Sequence, residues 1–169
     1  MSVTACEIPS SSVLDRRVIE AAWFRDSWCA PLSRSEAAVT DIFFAVFGHK
    51  PLWMKRILVA RNGIASLFGL EIPTIAEIMH PEIRSNYRVG DKIGPWPIFA
   101  LTDQELVAGR DNKHLDFRIS VLKTGKSAVF STVCNVHNPF GKIYLLCIVP
   151  FHTWGIRKLI SSAVVARRL

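Results

Sequence analysis

From Pro97 onward apolar and polar residues alternate with a period of two, and this alternation limits the possible folds more than any other feature of the chain. Gly125-Lys126 suits a two-residue hairpin turn with glycine first. That turn predicts His114 opposite His137, Asp116 opposite Asn135, Arg118 opposite Val133 and Ser120 opposite Ser131. A four-residue turn at Asn138-Pro139-Phe140-Gly141 predicts Asn135 opposite Tyr144 and His137 opposite Lys142. A loop at Arg110 to Lys113 predicts Val107 opposite Asp116 and Glu105 opposite Arg118.

These three turns sort the side chains onto the same two faces. One face collects Leu106, Ala108, Leu115, Phe117, Ile119, Val121, Phe130, Thr132, Cys134, Val136, Ile143, Leu145 and Cys147. The other collects Glu105, His114, Asp116, Arg118, Asn135, His137, Lys142 and Tyr144. A slip of one residue in any hairpin would mix the two sets, so their agreement supports the register. The apolar face needs a cover, and Phe151 to Leu169 offers one. Gly155, Ile156, Leu159, Ile160, Ala163 and Val164 share one helical arc, with Arg157, Lys158, Ser161, Ser162 and Arg168 opposite. A helix of that length is about 27 Å long, enough to cross several strands.

Upstream, residues 1–18 read as a flexible, Ser-rich arm, followed by a strand from Ile19 to Ala30 that Pro31 ends. Ser33 and Glu36 have capping-box spacing and predict a helix through Ala37, Val39, Ile42, Phe43 and Val46 to Gly48. A second helix runs from Pro51 to Gly69 with an apolar stripe of Trp53, Ile57, Ala60, Ile64 and Leu67. Residues 71–96 predict a short helical turn and an irregular connection. Strand, two helices, antiparallel strands and a final helix is the order of an α+β helix-grip fold. It makes residues 19–169 one domain, a curved antiparallel sheet covered by a long C-terminal helix.

The 169 residues suffice for one domain, and a chain that is half hydrophobic and 21% charged is not disordered. Five Trp and ten Phe call for a large core, a ligand cavity or both. The opening residues show no basic and apolar leader pattern, and Cys6, Cys29, Cys134 and Cys147 are scattered. Both features predict reduced thiols and a cytoplasmic location. The apolar run Ile143–Ile156, interrupted by Pro150 and His152, falls short of the roughly 20 residues of a membrane span, so no transmembrane segment is expected. The net charge of +7 is spread in ones and twos without a basic, aromatic stripe, and nucleic-acid binding is not expected.

AGRDNKHLDFRISV at 108–121 and VHNPFGKIYLLCIVPFH at 136–152 carry a family likeness, joined by APLSRSEAAV at 30–39 and KPLWMKRILVARN at 50–62. With these the chain resembles the bacterial family known as domain of unknown function 2867, within the START-like superfamily of polyketide cyclases and pollen allergens (SRPBCC). The resemblance implies a cavity between sheet and long helix, which relatives use for lipids, polyketides and other apolar ligands. It implies no catalytic residue.

Two sites compete. On the polar face, Glu105, His114, Asp116, Arg118, Asn135 and His137 hold two facing histidines beside a carboxylate, which suits zinc chemistry. The plainer reading is the wet side of a half-buried sheet with a Glu105–Arg118 cross-strand ion pair, and no metal is expected. Under the C-terminal helix, Phe117, Ile119, Phe130, Cys134, Leu145, Trp154 and Leu159 would line an apolar pocket with Thr132 as its polar group. The alternative there is a solid core. His152, where strand would pass into helix, is an acid/base candidate or a hydrogen-bonded cap. No G-x-S-x-G, Gly-rich phosphate loop or H-E-x-x-H occurs, so no catalytic residue and no cofactor is assigned. The sequence reads as a carrier of a small apolar or amphipathic molecule. A cyclase- or hydratase-type enzyme using the same cavity and a basic membrane-surface protein are the alternatives. An ionisable group inside would favour the enzyme.

Overall fold

The computed structural model describes residues 2–49, 51–67, 74, 84 and 86–169. The elements are β1 (Thr4–Ala5), α1 (Arg16–Glu20), β2 (Phe24–Pro31), α2 (Val39–Phe47), α3 (Leu52–Leu67), β3 (Lys92–Ile93), β4 (Trp96–Leu101), β5 (Glu105–Asp111), β6 (Leu115–Thr124), β7 (Ser127–Val136) and α4 (Pro139–Val165). The strands form one seven-stranded antiparallel sheet in the order β1-β2-β7-β6-β5-β4-β3. The fold is α+β, with the sheet packed against the long C-terminal helix, consistent with a helix grip.

The β6–β7 hairpin has the expected register, with Asp116 opposite Asn135, Arg118 opposite Val133 and Ser120 opposite Ser131. His114 accepts from the His137 amide through its carbonyl oxygen at 2.9 Å, which extends the same pairing. Gly125 opens the turn with φ +62, a conformation that a side chain disfavours. The β5–β6 register differs from expectation by four residues. Glu105 stands opposite Leu122, and Arg118 opposite Gly109, because β5 continues to Asp111 and the turn is tighter than the one read from Arg110–Lys113. An even shift leaves each side chain on its own face, so the sorting survives the error.

The inner face carries Ile98, Leu106, Ala108, Ile119, Val121 and Phe130, packed with Phe43, Val46 and Phe47 of α2 and Ile156, Leu159 and Ile160 of α4. Burying this many large side chains, each worth roughly 1.5–3 kcal/mol, supplies the main stabilisation. Phe43 and Phe47 meet Trp96 and each other, and Phe47 meets Phe130, through tilted and edge-to-face ring contacts.

Three expectations fail at element ends. The strand expected from Ile19 begins at Phe24, since the Asp15 side chain accepts from the Arg17 amide at 2.8 Å and starts α1 instead. Ser33 and Glu36 form no capping box. They precede α2, whose N-cap is Ala38 without a side-chain bond. The turn expected at Asn138 is the start of α4, so Lys142, Ile143, Tyr144, Leu145 and Cys147 are helical rather than paired with β7. Asn138 accepts from the Gly141 amide at 3.1 Å and Pro139 occupies the first turn, an N-terminus that favours helix over hairpin. α3 matches the second helix within its first and last residues, while the side chains of its predicted stripe and most of 71–85 lie outside the described residues.

The outer face is not the wet surface expected. Leu14 and Ile19, on the segment read as a loose arm, cover Val107 and Val133, with Ile8, Val18, Ala22 and Ala100 around them. β1 also adds an edge strand to β2. Glu105 is only 1% exposed and accepts from Ser12 Oγ (2.6 Å), the Val13 amide (2.6 Å) and Ser120 Oγ (2.5 Å). The arm is folded onto the sheet through that carboxyl group.

Candidate functional site

Successive residues of β2 point to opposite faces, so Phe24, Asp26, Trp28 and Ala30 share the side that faces α4. Asp26 pairs across the ladder with Thr132, and Phe24 with Cys134. Above them, His152 reaches down from the middle of α4. Its Nε2 lies 3.2 Å from Thr132 Oγ1 and 3.6 Å from Asp26 Oδ1. Phe24 meets the imidazole edge-on at 5.7 Å. Trp28 Nε1 donates to Asp26 Oδ2 at 3.2 Å and holds the carboxyl group in place.

Asp26 Oδ1 is buried and has no hydrogen-bond partner among the described residues. His152 Nε2, 3.6 Å away, is beyond hydrogen-bond distance of it, so one acceptor remains open beside an apolar surface. The two states of His152 differ in what they present. With a proton on Nε2 it donates toward Thr132 and Asp26; without one it accepts from the Thr132 hydroxyl. Burial, with a smaller contribution from Asp26, pushes the Cys134 thiol up to about 12, so it is a neutral, inert neighbour. An imidazole, a carboxyl group and a hydroxyl converging in apolar surroundings can orient a polar ligand group, or move a proton on it.

The predicted lining residues divide. Ile119, Phe130, Thr132, Cys134, Leu145 and Leu159 are buried on the inner side and Phe117 is half-buried, its ring 6.1 Å from that of Trp96. Trp154 faces outward and is 56% exposed. Two surface depressions lie elsewhere. One of about 340 Å³ sits between Leu32–Ile42 and Arg168–Leu169, and one of about 470 Å³ between Ala38–Thr40, Tyr87 and Leu101–Asp103. Neither borders the predicted lining residues.

The outer-face residues do not form one cluster. Glu105 is bonded to the arm, Arg118 pairs with Asp111 at 2.5 Å and lies over the Phe99 ring, and His137 Nε2 meets Asp116 Oδ2 at 2.9 Å. His114 contacts Asn138, and Asn135 Nδ2 donates to the Val18 carbonyl. The expected Glu105–Arg118 pair is absent because of the β5–β6 register. Among the described residues no three metal-ligating side chains converge.

Asp26 is the member that the sequence reading missed. The signal was present, since FRDSWCA alternates and places this aspartate between Phe24 and Trp28 on the apolar face.

No curated protein and no solved structure matches the chain. Residues 18–159 match the family described as protein of unknown function DUF2867, and the chain belongs to that family.

Proposed function

We propose that this chain binds a small amphipathic molecule between the inner sheet face and α4, in the manner of START-like carriers. Asp26, Thr132 and His152 meet its polar group, and Phe117, Ile119, Phe130, Cys134, Leu145 and Leu159 meet its apolar body. The observation that carries the proposal is Asp26 Oδ1, a buried acceptor without a hydrogen-bond partner among the described residues, 3.6 Å from His152 Nε2. A buried polar atom left unbonded costs about 1–3 kcal/mol, and a ligand donor shared with His152 removes that cost.

The test is a thermal-melt screen against fatty acids and hydroxylated aromatic compounds. A ligand at a hundred times its Kd adds about 2.7 kcal/mol to the folded state, a shift of about 5–10 °C for a domain of this size. Asp26→Asn and His152→Gln should each keep the fold and lose the shift. No shift from any compound, or an equal shift in both variants, would overturn the proposal.

A second reading is an enzyme of the cyclase or hydratase type acting at the same place. His152 beside a carboxyl group favours it, because two titratable groups face the apolar side rather than a uniformly greasy lining. Chemical change in a bound compound, lost in His152→Gln while binding persists, separates the enzyme from the carrier.

A further inference from the structure

α4 carries apolar residues on both its inward and its outward arc. Its inward arc, including Leu145, Ile156, Leu159, Ile160 and Ala163, is buried. Its outward arc carries Ile143 (61% exposed), Leu146 (58%), Phe151 (73%) and Trp154 (56%). These positions recur at helical spacing and form one stripe about 16 Å long between Ile143 and Trp154. Nine large hydrophobic side chains are exposed among the described residues, and five of them lie on α4, so this is a patch and not ordinary scatter.

Charge brackets the stripe. Lys142 is exposed at one end; Arg157 and Lys158 are exposed at the other, Arg157 also lying over the Trp28 ring. No Asp or Glu follows Asp116 in the chain, whereas eight Lys or Arg do. The positive charge that looks diffuse along the sequence is therefore unopposed in the segment that carries the stripe. Phenylalanine and tryptophan on an exposed helical arc, flanked by lysine and arginine and free of acids, match the chemistry of an anionic lipid interface.

By length and composition α4 is also apolar enough to cross a membrane. Crossing would strip its inward arc from the sheet, which leaves only the outward arc for lipid. We propose that the outward arc of the first half of α4 docks on an anionic lipid surface, with Phe151, Trp154, Leu146 and Ile143 entering the headgroup boundary. This proposal stands apart from ligand binding at Asp26 and His152, which lies on the opposite side of the helix.

The experiment is cosedimentation of the full chain with phosphatidylcholine vesicles, with and without phosphatidylglycerol. Binding should favour the anionic vesicles and weaken as salt rises. Leu146→Ser with Phe151→Ser should lower partitioning by at least about tenfold, with the melting midpoint retained because both side chains are exposed. Arg157→Glu with Lys158→Glu should lower it by about tenfold or more and remove the preference for phosphatidylglycerol. Asp26→Asn should leave vesicle binding unchanged, which separates this proposal from the internal site. Absence of binding to anionic vesicles, or binding that survives both double variants, would overturn it. So would self-association that the serine variant abolishes without any vesicle binding, since the stripe would then be covered by a second copy.

Discussion

Gly141, in the first turn of α4, sits directly against the carbonyl oxygen of His114 at the start of β6. A Cβ at this position would collide with that oxygen, and the carbonyl already accepts the His137 amide in the sheet ladder. The helix can begin where it does only because this residue has no side chain. Gly141→Ala should therefore cost about 1–3 kcal/mol, as other overpacking substitutions do. Gly63 in α3 is the control, since a Cβ there meets nothing within 4 Å, and Gly63→Ala should stabilise by about 0.5–1 kcal/mol. Urea unfolding of the two variants gives both signs.

Glu105 ties the N-terminal arm to the outer face through Ser12, Val13 and Ser120. Glu105→Ala strips three donors of their acceptor and should cost about 3 kcal/mol. Ser12→Ala removes two bonds, the one to Glu105 and the one Ser12 Oγ accepts from the Leu14 amide, and should cost about 1–3 kcal/mol. In both variants trypsin should cut at Arg16 and Arg17 faster than in the parent, while the melting of the sheet stays cooperative. Unchanged cleavage would mean that the arm is held by Leu14 and Ile19 alone.

The cysteines should separate by reactivity. Cys147 is exposed on α4 and Cys134 is buried with its thiol held up at about 12. Iodoacetamide at pH 8 should modify Cys147 and leave Cys134 untouched until the chain is unfolded, which peptide mass mapping will show. The same burial has a pH consequence. A thiol that is harder to ionise when folded contributes stability that is complete below its ordinary value of 9.0, and that stability is lost as pH rises from there toward about 12. Cys134→Ala should flatten this alkaline loss in urea melts taken across that range.

Leu159 is buried among α2, the sheet and α4, and Leu159→Ala should cost about 2–5 kcal/mol. A loss near the lower end, recovered by added apolar ligand, indicates space beneath the helix. A larger loss that no ligand recovers indicates a filled core. Thermal melts of parent and variant against the same compound panel decide between them.

Much of the sheet could be read from local signals. Gly125 fixes one turn, and the alternation from Leu115 to Val136 then leaves one register that keeps Phe117, Ile119, Phe130 and Cys134 together. The first half of α4 was hidden because Ile143 to Phe151 is mostly apolar on every side, so it shows no helical period to distinguish it from a strand. Asn138-Pro139 carried the helix signal and equally suits a turn. Glu105 looked like a surface residue because the groups that bury it lie 92 and 93 residues earlier. His152 was noticed, but its partner Asp26 becomes visible only when β2 is placed beside β7.

That placement also governs how the molecule can be made. β2 is complete early in synthesis, yet the strand beside it on the inner side of the sheet is β7, with Phe24 waiting for Cys134. At about 5–20 residues per second the ribosome needs about 5–20 seconds to supply it. Through that interval β2 has only the two-residue β1 as a strand partner, and the apolar side of Phe24 and Trp28 lacks the helix that will cover it. The sheet therefore closes after translation of its last strand, by long-range pairing of the kind that gives slow folding. Growing chains in this window are the ones a chaperone should hold.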